Sequence, residues 1–533
     1  MAPIEPSANS AYSAPNQTHQ GLTVNKHAIG IPVCLLLASC ATPPRQAPAE
    51  SIPPASVASY YDSLINSQPQ RLAELDLFLN QMPKGGDLHH HYSGSLYAET
   101  YLDWVEKARY CIYADDDAAS GAQKFKIETG LTASDAAPQA KSTSSQTKSA
   151  APRARCLSAP QIKADNRLYR ELLTTWSDKD YANHFHLQSP PDKQFFDTFS
   201  YFGDISDYDF STGLQILKSR AKQENVQYIE TMLKSSPSVP CPAEIAAALA
   251  ALTETSSDEQ IDAVLTRYFN FLQQNQSMQQ SIKDYVQKLE GLAANINDDQ
   301  FTLRFQAYVS RNSKPDKIFA GLYSGFAAEQ ASPLIVGINF VSPENGAVAM
   351  RDYHLHMRMF HFLKQRFPDS QIALHAGELA LGMVPPEGLT FHIDEAVRLA
   401  GAKRIGHGVD IAHEKNAPAL LELMRKQAVA VEINLSSNAF ILGVENEAHP
   451  LPLYQRYHVP YVISTDDSGV SRSNLSHEYL LFASRYKPSY PELKSTVYNS
   501  IRYSFLSEQD KNKQLQQLDQ RFNRFEQQYA SAP

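Results

Sequence analysis

From Val226 onward, short runs of β-branched and apolar residues alternate with stretches of helical periodicity. Because the order is strand and then helix, consecutive strands are expected to be parallel. Together with one earlier strand they close most simply as a (β/α)8 TIM barrel, an α/β fold. The predicted strands are Asp87–His91, Val226–Ile229, Phe301–Val309, Leu334–Phe340, Ile372–His375, Arg404–His407, Ala428–Ile433 and Tyr461–Thr465.

The barrel domain is predicted to span residues 60–533 and to carry two insertions. Residues 112–160 contain few large apolar side chains, which predicts a surface insertion that is disordered in part. Residues 243–295 have helical periodicity over a length greater than one crossover needs, which predicts added helices. Tyr60–Gln81 is predicted to be one helix that leads into the first strand. The aromatic residues that follow the first insertion are interpreted mainly as helix packing: Phe195, Phe196, Phe199, Tyr201 and Phe202.

The N-terminal segment has the pattern of an export signal. Lys26 precedes an apolar run, Ala28–Ala38, that is too short to span a membrane and ends in Leu-Ala-Ser-Cys at Cys40. This ending resembles a bacterial lipobox, which implies that residues 1–39 are removed and that Cys40 is lipidated. The alternative is a plain signal peptide with an incidental cysteine. Residues 40–59 are Pro-rich and predict a tether, and the alanine after Cys40 favours the outer membrane, on the periplasmic side.

Cysteine usage and net charge limit the other functions of the chain. Export makes disulfides permissible, and Cys111 and Cys156 flank one polar insertion, so we predict that they pair and leave Cys241 odd. The formal net charge of −9 argues against a nucleic-acid partner, which normally requires a basic face.

Four polar residues fall at the carboxyl ends of predicted strands, where a barrel places its active site. On a strand, successive side chains point to opposite faces, so His89 and His91 share one face. His375 ends the fifth strand, and Asp466 follows the eighth. Three imidazoles and one carboxylate without thiolate suit a catalytic Zn²⁺ that keeps a position for water.

Further polar residues near these ligands are candidates for proton transfer. His407 is free to act as a base and to hold the water, and Glu378 could donate a proton to a substrate. Asp467 is either a catalytic residue or a helix cap. His354 and His356 lie on a predicted helix, where they point apart, and are interpreted as surface residues.

Four ordered segments resemble the motifs of the adenosine deaminase family within the amidohydrolase superfamily. They are Met82–Ser95 (Met-Pro-Lys-Gly-Gly-Asp-Leu-His-His-His-Tyr-Ser-Gly-Ser), residues 375–378 (His-Ala-Gly-Glu), residues 404–408 (Arg-Ile-Gly-His-Gly) and residues 464–467 (Ser-Thr-Asp-Asp). The Met-Pro-Lys-Gly-Gly opening, the export signal and the cysteine-flanked insertion favour the secreted, growth-factor-related branch.

The resemblance implies one zinc ion per chain, held by His89, His91, His375 and Asp466. It implies that Glu378 protonates purine N1, that hydroxide attacks C6 with His407 as base, and that Asp467 bonds N7. The expected substrate-binding residues are His91, Asp467 and Ser342.

Three positions depart from the family pattern. Ser342 stands where a glycine amide meets purine N3, Ser468 replaces a proline, and Met232 replaces an arginine. These changes concern substrate fit and leave the metal ligands intact.

The implied partner is a small purine nucleoside: adenosine and 2′-deoxyadenosine, converted to inosines with release of ammonia. The alternatives are a related enzyme acting on another aminopurine or a modified nucleoside, and a catalytically inactive nucleoside-binding lipoprotein. The membrane is expected to be contacted only through the N-terminal lipid anchor.

Overall fold

A computed structural model describes residues 56–116, 123–132, 155–179, 189–253 and 255–530. The predicted signal peptide (1–39), the lipidation site Cys40 and most of the tether lie outside these residues. The end of the tether is described, and there helix α1 already begins at Val57, so the folded domain starts slightly before residue 60. No helix within the described ranges is both long and apolar enough to cross a bilayer.

Parallel strands form the centre of the domain. One four-stranded sheet has the order β1-β5-β6-β7, and a second has the order β11-β10-β9-β8. All eight predicted strands are present, with ends displaced by at most a few residues. The strands are β1 Gly85–His91, β2 Tyr110–Tyr113, β3 Ile127–Thr132, β4 Cys156–Ser158, β5 Val226–Met232, β6 Thr302–Ser310, β7 Ile335–Val341, β8 Ala373–Ala376, β9 Arg404–His407, β10 Ala430–Ile433 and β11 Tyr461–Ile463.

Isolated parallel bridges connect the outer strands of the two sheets. Ile338 of β7 pairs with Ile372, immediately before β8. At the other junction His90 of β1 pairs with Asp466, which follows β11, and the Asp466 amide donates to the His89 carbonyl at 2.8 Å. The α/β fold is therefore confirmed, and the arrangement of the strands is consistent with the predicted (β/α)8 barrel.

Helices follow most of the parallel strands and cover them with apolar faces. They are α1 Val57–Ile65, α2 Leu72–Gln81, α3 Tyr92–Ser95, α4 Ala98–Ala108, α5 Ala159–Ala164, α6 Asn166–Thr175, α7 Pro191–Phe202, α8 Phe210–Gln223, α9 Ala243–Ala250, α10 Asp258–Gln274, α11 Gln276–Ala294, α12 Pro315–Ala331, α13 Ala347–Arg351, α14 Tyr353–Lys364, α15 His392–Glu395, α16 Ala417–Gln427, α17 Leu435–Leu442, α18 Leu451–Arg456, α19 Leu475–Tyr486, α20 Tyr490–Arg502 and α21 Glu508–Ala530. Short 3₁₀ or π segments cover 203–205, 386–389, 396–400, 409–413 and 446–448.

The single helix predicted over Tyr60–Gln81 is two helices. Helix α1 ends at Ile65 and α2 begins at Leu72. Pro69 lies between them. Proline lacks an amide hydrogen and disfavours helical conformation at the residue before it, so the apolar period continues while the helix does not.

The two predicted insertions have different structures. The described part of residues 112–160 contributes to an antiparallel sheet of order β3-β2-β4, in which a disulfide joins Cys111 to Cys156. The segments of this insertion that were expected to be disordered lie largely outside the described residues. Within residues 243–295, helices α9, α10 and α11 occupy nearly the whole described length.

The interpretation of His356 as a surface residue is wrong. His356 is fully buried in α14, with its ring edge-on to Phe340 of β7 at a centroid distance of 5.4 Å. His354 is partly exposed and pairs with Glu395 at 3.1 Å. Because α14 covers β7, one of the two histidines has to face the sheet, and helical periodicity alone does not assign which one.

Candidate metal and catalytic site

The four predicted metal ligands lie together at the carboxyl ends of β1, β8 and β11. One ligand atom from each of His89, His91, His375 and Asp466 can be chosen so that all lie within 4.8 Å of one another. Asp466 Oδ1 is 3.2 Å from His91 Nε2 and 3.4 Å from His89 Nε2, and His91 Nε2 is 3.1 Å from His375 Nε2. Residues nearly 380 positions apart in sequence therefore converge on one point, as the strand-end pattern predicts.

Hydrogen bonds behind His89 fix which of its nitrogens faces this point. His89 Nδ1 lies 2.7 Å from Glu432 Oε2 in a fully buried pair, so Nδ1 carries the hydrogen and Nε2 presents a lone pair. Arg404 donates to Glu432 and to Glu230, at 2.5 Å in each case. Burial would raise the pKa of Glu432, but Arg404 and His89 hold it below its usual value, so Glu432 is an anion that orients His89.

His375 is oriented in the same way by an amide. His375 Nδ1 is 2.9 Å from Asn339 Oδ1, and Asn339 Nδ2 in turn donates to Gln306 Oε1 at 2.9 Å. The Nε2 atoms of His375 and His89 thus both present lone pairs, and buried His89 Nε2 has no hydrogen-bond partner. Burial lowers the pKa of His89, but Asp466 and Glu432 raise it to about 10, so the Nε2 lone pair binds either a proton or a metal ion. The donor set fits Zn²⁺.

A cavity of about 250 Å³ opens beside the four ligands. One wall is aromatic and comes from α7, where Phe195, Phe196 and Phe199 face the cavity instead of only packing the helix. The predicted catalytic residues Glu378, His407 and Asp467 and the predicted substrate contact Ser342 are also in its lining. The remaining lining residues are His91, Ser93, Met232, Tyr308, Val341, Pro343, His375 and Asp466.

Backbone hydrogen bonds to Glu344 position Glu378 beside the four predicted metal ligands. The amides of Gly377 and Glu378 donate to the two carboxylate oxygens of Glu344 at 3.1 and 2.9 Å. Burial and the nearby Asp466 carboxylate together raise the pKa of the Glu378 side chain to about 8. At neutral pH Glu378 therefore holds a proton, and its Oε1 lies 3.6 Å from His407 Nε2. This arrangement suits a proton donor.

Asp467 lies in the cavity beside Asp466. Its Oδ1 is buried without a hydrogen-bond partner, and burial together with the Asp466 charge raises its pKa well above the usual value. A Cβ on Gly94 would overlap the Asp467 carboxyl group, so only glycine leaves room for it. Of the two readings of Asp467, the buried side chain favours a role in the site over a helix cap.

Three non-glycine residues in or near the cavity have left-handed backbone conformations. The φ angles are +68° at His407, +58° at Asp466 and +82° at Ser342. Such residues are uncommon and cluster at functional sites, where the surrounding structure holds them. Ser342 thus takes the conformation that a glycine adopts readily, which reduces the significance of this departure from the family pattern.

Sequence reasoning missed the residues that orient the ligands. Glu432 and Asn339 each lie within a buried apolar strand, β10 and β7, and Glu344 follows β7. A charged or amide side chain inside such a run is the only local signal, because a buried polar group requires a partner. The identity of that partner is visible only in the structure.

Part of the chain is similar to known proteins. Residues 278–521 match a protein-family model. That family is adenosine deaminase. The matched residues contain three of the four motif segments, while Met82–Ser95 lies outside them and reaches the site through the pairing of β1 with Asp466.

Individual proteins are similar to parts of this chain. A curated adenosine deaminase from Serratia proteamaculans is 35% identical over 152 residues, which cover 28% of this chain and 42% of that protein. The chain thus matches about two fifths of the length of such relatives. Among solved structures, an Arabidopsis N6-mAMP deaminase has a TM-score of 0.49 at 16% identity, covering 83% of this chain and 99% of that one. An adenine deaminase from Arthrobacter aurescens has a TM-score of 0.46 at 16% identity, with the same coverages. This part of the chain is therefore similar to adenosine deaminases.

Proposed function

We propose that this protein is a zinc-dependent hydrolase that deaminates adenosine and 2′-deoxyadenosine to the corresponding inosines with release of ammonia. The observation that carries this proposal is the placement of a protonated, buried Glu378 in the same cavity as three histidines and an aspartate whose ligand atoms converge. The family match supports a hydrolytic deaminase.

The predicted ligands and the three polar residues beside them each have a role in this reaction. Zinc bound by the four ligands would supply hydroxide, since it lowers the pKa of bound water to about 7. Glu378 donates its proton to purine N1, which makes C6 electrophilic. Asp467 bonds N7, and His407 contacts the oxygen that attacks C6. The C6–N bond then breaks, ammonia leaves, and water has supplied the new oxygen.

One zinc ion per chain is part of the proposal. The four-ligand set is complete without a second ion, and β7 contains no lysine that could bridge a pair of metals after carbamylation. We also infer that the eight parallel strands close into the (β/α)8 barrel, which is supported by the bridges at both junctions between the sheets.

We propose that the protein acts outside the cytoplasm, on the periplasmic side and anchored to the outer membrane through Cys40. The sequence of the N-terminal segment supports this location, and the disulfide between Cys111 and Cys156 agrees with an oxidising compartment. These features also favour the secreted, growth-factor-related branch. Intact-mass measurement of protein from the membrane fraction tests the proposal, because retention of residues 1–39 would contradict it.

A related reaction is the second candidate. The aromatic wall from α7, together with Ser93 and Tyr308, gives this cavity a lining that favours another aminopurine or a modified nucleoside as an alternative substrate. An inactive nucleoside-binding lipoprotein is a third candidate, but every predicted ligand and acid–base position is filled and oriented.

Metal analysis combined with ammonia-release assays on adenosine, 2′-deoxyadenosine, adenine and AMP tests the proposal. We expect one zinc per chain and turnover of the two nucleosides. Glu378→Gln should retain zinc and lose about 10²–10⁴-fold in turnover, the range for a general acid–base group. Turnover of a different aminopurine alone would favour the second candidate. Zinc binding without turnover of any aminopurine would favour the third.

A further inference from the structure

A chain of buried hydrogen bonds leads from a helix N-terminus to His407. Leu451, the first residue of α18, donates its backbone N–H to His449 Nδ1 at 3.1 Å. The first amides of a helix have no partner within the helix, so this acceptor satisfies one of them. A backbone amide can only donate. His449 Nδ1 must therefore present a lone pair, and the neutral ring carries its hydrogen on Nε2.

The direction of this first hydrogen bond determines which atoms donate and which accept in the next two hydrogen bonds. His449 Nε2 lies 3.1 Å from Asn438 Oδ1, so the hydrogen on Nε2 is donated to the amide oxygen. The amide of Asn438 is thereby oriented with its nitrogen toward His407, where Nδ2 lies 2.9 Å from His407 Nδ1. An amide nitrogen donates, so His407 Nδ1 must accept. Both Asn438 and His449 are buried, and burial lowers the pKa of His449 to about 4, which keeps its ring neutral.

The remaining nitrogen of His407 faces the reaction site. His407 Nε2 is buried without a hydrogen-bond partner and points toward Glu378, whose Oε1 is 3.6 Å away. Asn434, which precedes α17, also directs its amide nitrogen toward His407 Nδ1, at 3.4 Å. The Nδ1 side of the ring therefore faces only donors, and the hydrogen of the neutral ring has to be on Nε2.

We propose that Asn438 and His449 are positioning residues that hold His407 in its Nε2–H form, so that His407 donates a hydrogen bond to the attacking oxygen. This inference rests on the proposed function, because it assigns the manner in which His407 contacts that oxygen. It replaces the role of base that the sequence led us to expect, since an Nε2 atom that already carries hydrogen cannot accept a proton. Glu378 becomes a carboxylate once it has given its proton to N1, so it is placed to take the proton that the attacking water loses and to pass it to the leaving ammonia.

Nitrogen NMR of the full-length protein labelled with ¹⁵N in its histidine rings tests the tautomer without reference to activity. The His407 signals are assigned by their loss in His407→Asn. In the wild type we expect hydrogen on Nε2 and a lone pair on Nδ1. Asn438→Asp replaces the donor by an acceptor and should move the hydrogen to Nδ1. Asn446→Asp, in the exposed loop before His449, is the matched control and should leave the signals unchanged.

Activity measurements separate positioning from a general structural effect. A catalytic histidine in the wrong tautomer loses up to about 10⁴-fold in kcat. We expect Asn438→Asp to lower kcat toward this limit with little change in KM. His449→Leu, which removes the donor to Asn438, should give a mixture of tautomers and a smaller loss. His449→Gln, which keeps a donor, should restore kcat.

A wild-type His407 with hydrogen on Nδ1, or an Asn438→Asp protein with an unchanged tautomer, would overturn the inference. If Asn438→Asp does not fold, His449→Leu and His449→Gln are compared instead. Equal kcat values and the same His407 tautomer in these two variants would then overturn the inference. If the expected tautomer is found but no nucleoside is deaminated, the positioning chain stands and the proposed function fails, so the two failures are distinguishable.

Discussion

Glu432→Gln is the most informative change to the metal site, because it alters one atom behind a ligand and leaves all four ligands in place. Glu432 accepts from His89 Nδ1 through one oxygen and from Arg404 Nε through the other, at 2.7 and 2.5 Å. Glutamine has only one acceptor oxygen. If that oxygen faces Arg404, the amide nitrogen donates to His89 Nδ1 and the ring hydrogen moves to Nε2, where it blocks metal binding. If it faces His89, two donors oppose each other at Arg404.

Either orientation weakens the site by an amount that can be measured. Loss of a residue that orients a metal-binding histidine commonly lowers metal affinity by about 10–100-fold. That range corresponds to roughly 1.4–2.7 kcal/mol of binding free energy. The fold should survive, because the buried Arg404 keeps its ion pair with Glu230 at 2.5 Å. Glu422→Gln on α16, which removes an exposed carboxylate 3.5 Å from Lys426, is the matched control.

Competition with a fluorescent zinc chelator at fixed pH measures the affinity, and circular dichroism of the metal-free proteins checks the fold. We expect Glu432→Gln to bind zinc about 10–100-fold more weakly than Glu422→Gln. Equal zinc affinities in two folded variants would refute the orientation of His89 by Glu432, and with it the reasoning that the tautomer of His89 controls the site.

Three further predictions concern other parts of the domain. Gly94→Ala should displace the Asp467 carboxyl group and lower kcat/KM by roughly 10–100-fold while zinc stays bound, because losing one partner of a buried hydrogen bond costs about 1–3 kcal/mol. Burial would raise the pKa of Glu344, but Arg311 and His392 lower it to about 2 from an ordinary 4.5. Its ionised form therefore stabilises the fold above pH 4.5, and this contribution is lost as the pH falls toward 2, so the stability deficit of Glu344→Gln should shrink over that window. Replacing Cys111 and Cys156 by serine should reduce the free energy of unfolding by about 4 kcal/mol, from the 45-residue separation of the two cysteines.

Each of these predictions has a control and a contradicting result. Gly203→Ala, where a Cβ meets no atom within 4 Å, should leave kcat/KM unchanged, and an equally active Gly94→Ala would contradict the packing against Asp467. For Glu344→Gln, denaturant titrations across the acid range give the deficit, and a deficit that does not depend on pH would rule out its ionisation as the cause. Unfolding of the double serine variant is compared with that of the oxidised wild type, and equal stabilities would show that the disulfide does not constrain the chain.

Local patterns located the strands correctly, and the four predicted ligands lie together in the structure. The alternation of apolar strand and amphipathic helix is a property of neighbouring residues, and so is the position of a polar residue just after a strand. His375, His407 and Asp466 are therefore assigned to one end of a parallel sheet by the amino-acid sequence alone. The motifs that resemble the adenosine deaminase family indicated the catalytic roles expected of the same residues.

Local patterns were less successful where a partner is distant. Helical periodicity did not identify His356 as the buried member of its pair. The missed break between α1 and α2 is different, because Pro69 is a local signal that periodicity does not take into account. The phenylalanines of α7 were read as packing, although the fold turns them into a wall of the cavity.

The sequence by itself determined which residues can bind a metal and transfer a proton, because residue type and position along a strand are local properties. The tertiary structure alone decided how those residues are oriented. Glu432 is 343 residues from His89, and Asn438 is 31 residues from His407, yet each fixes the tautomer of its histidine through one buried hydrogen bond. Such a bond depends on two side chains that only the closed packing of the strands and helices brings within 3 Å.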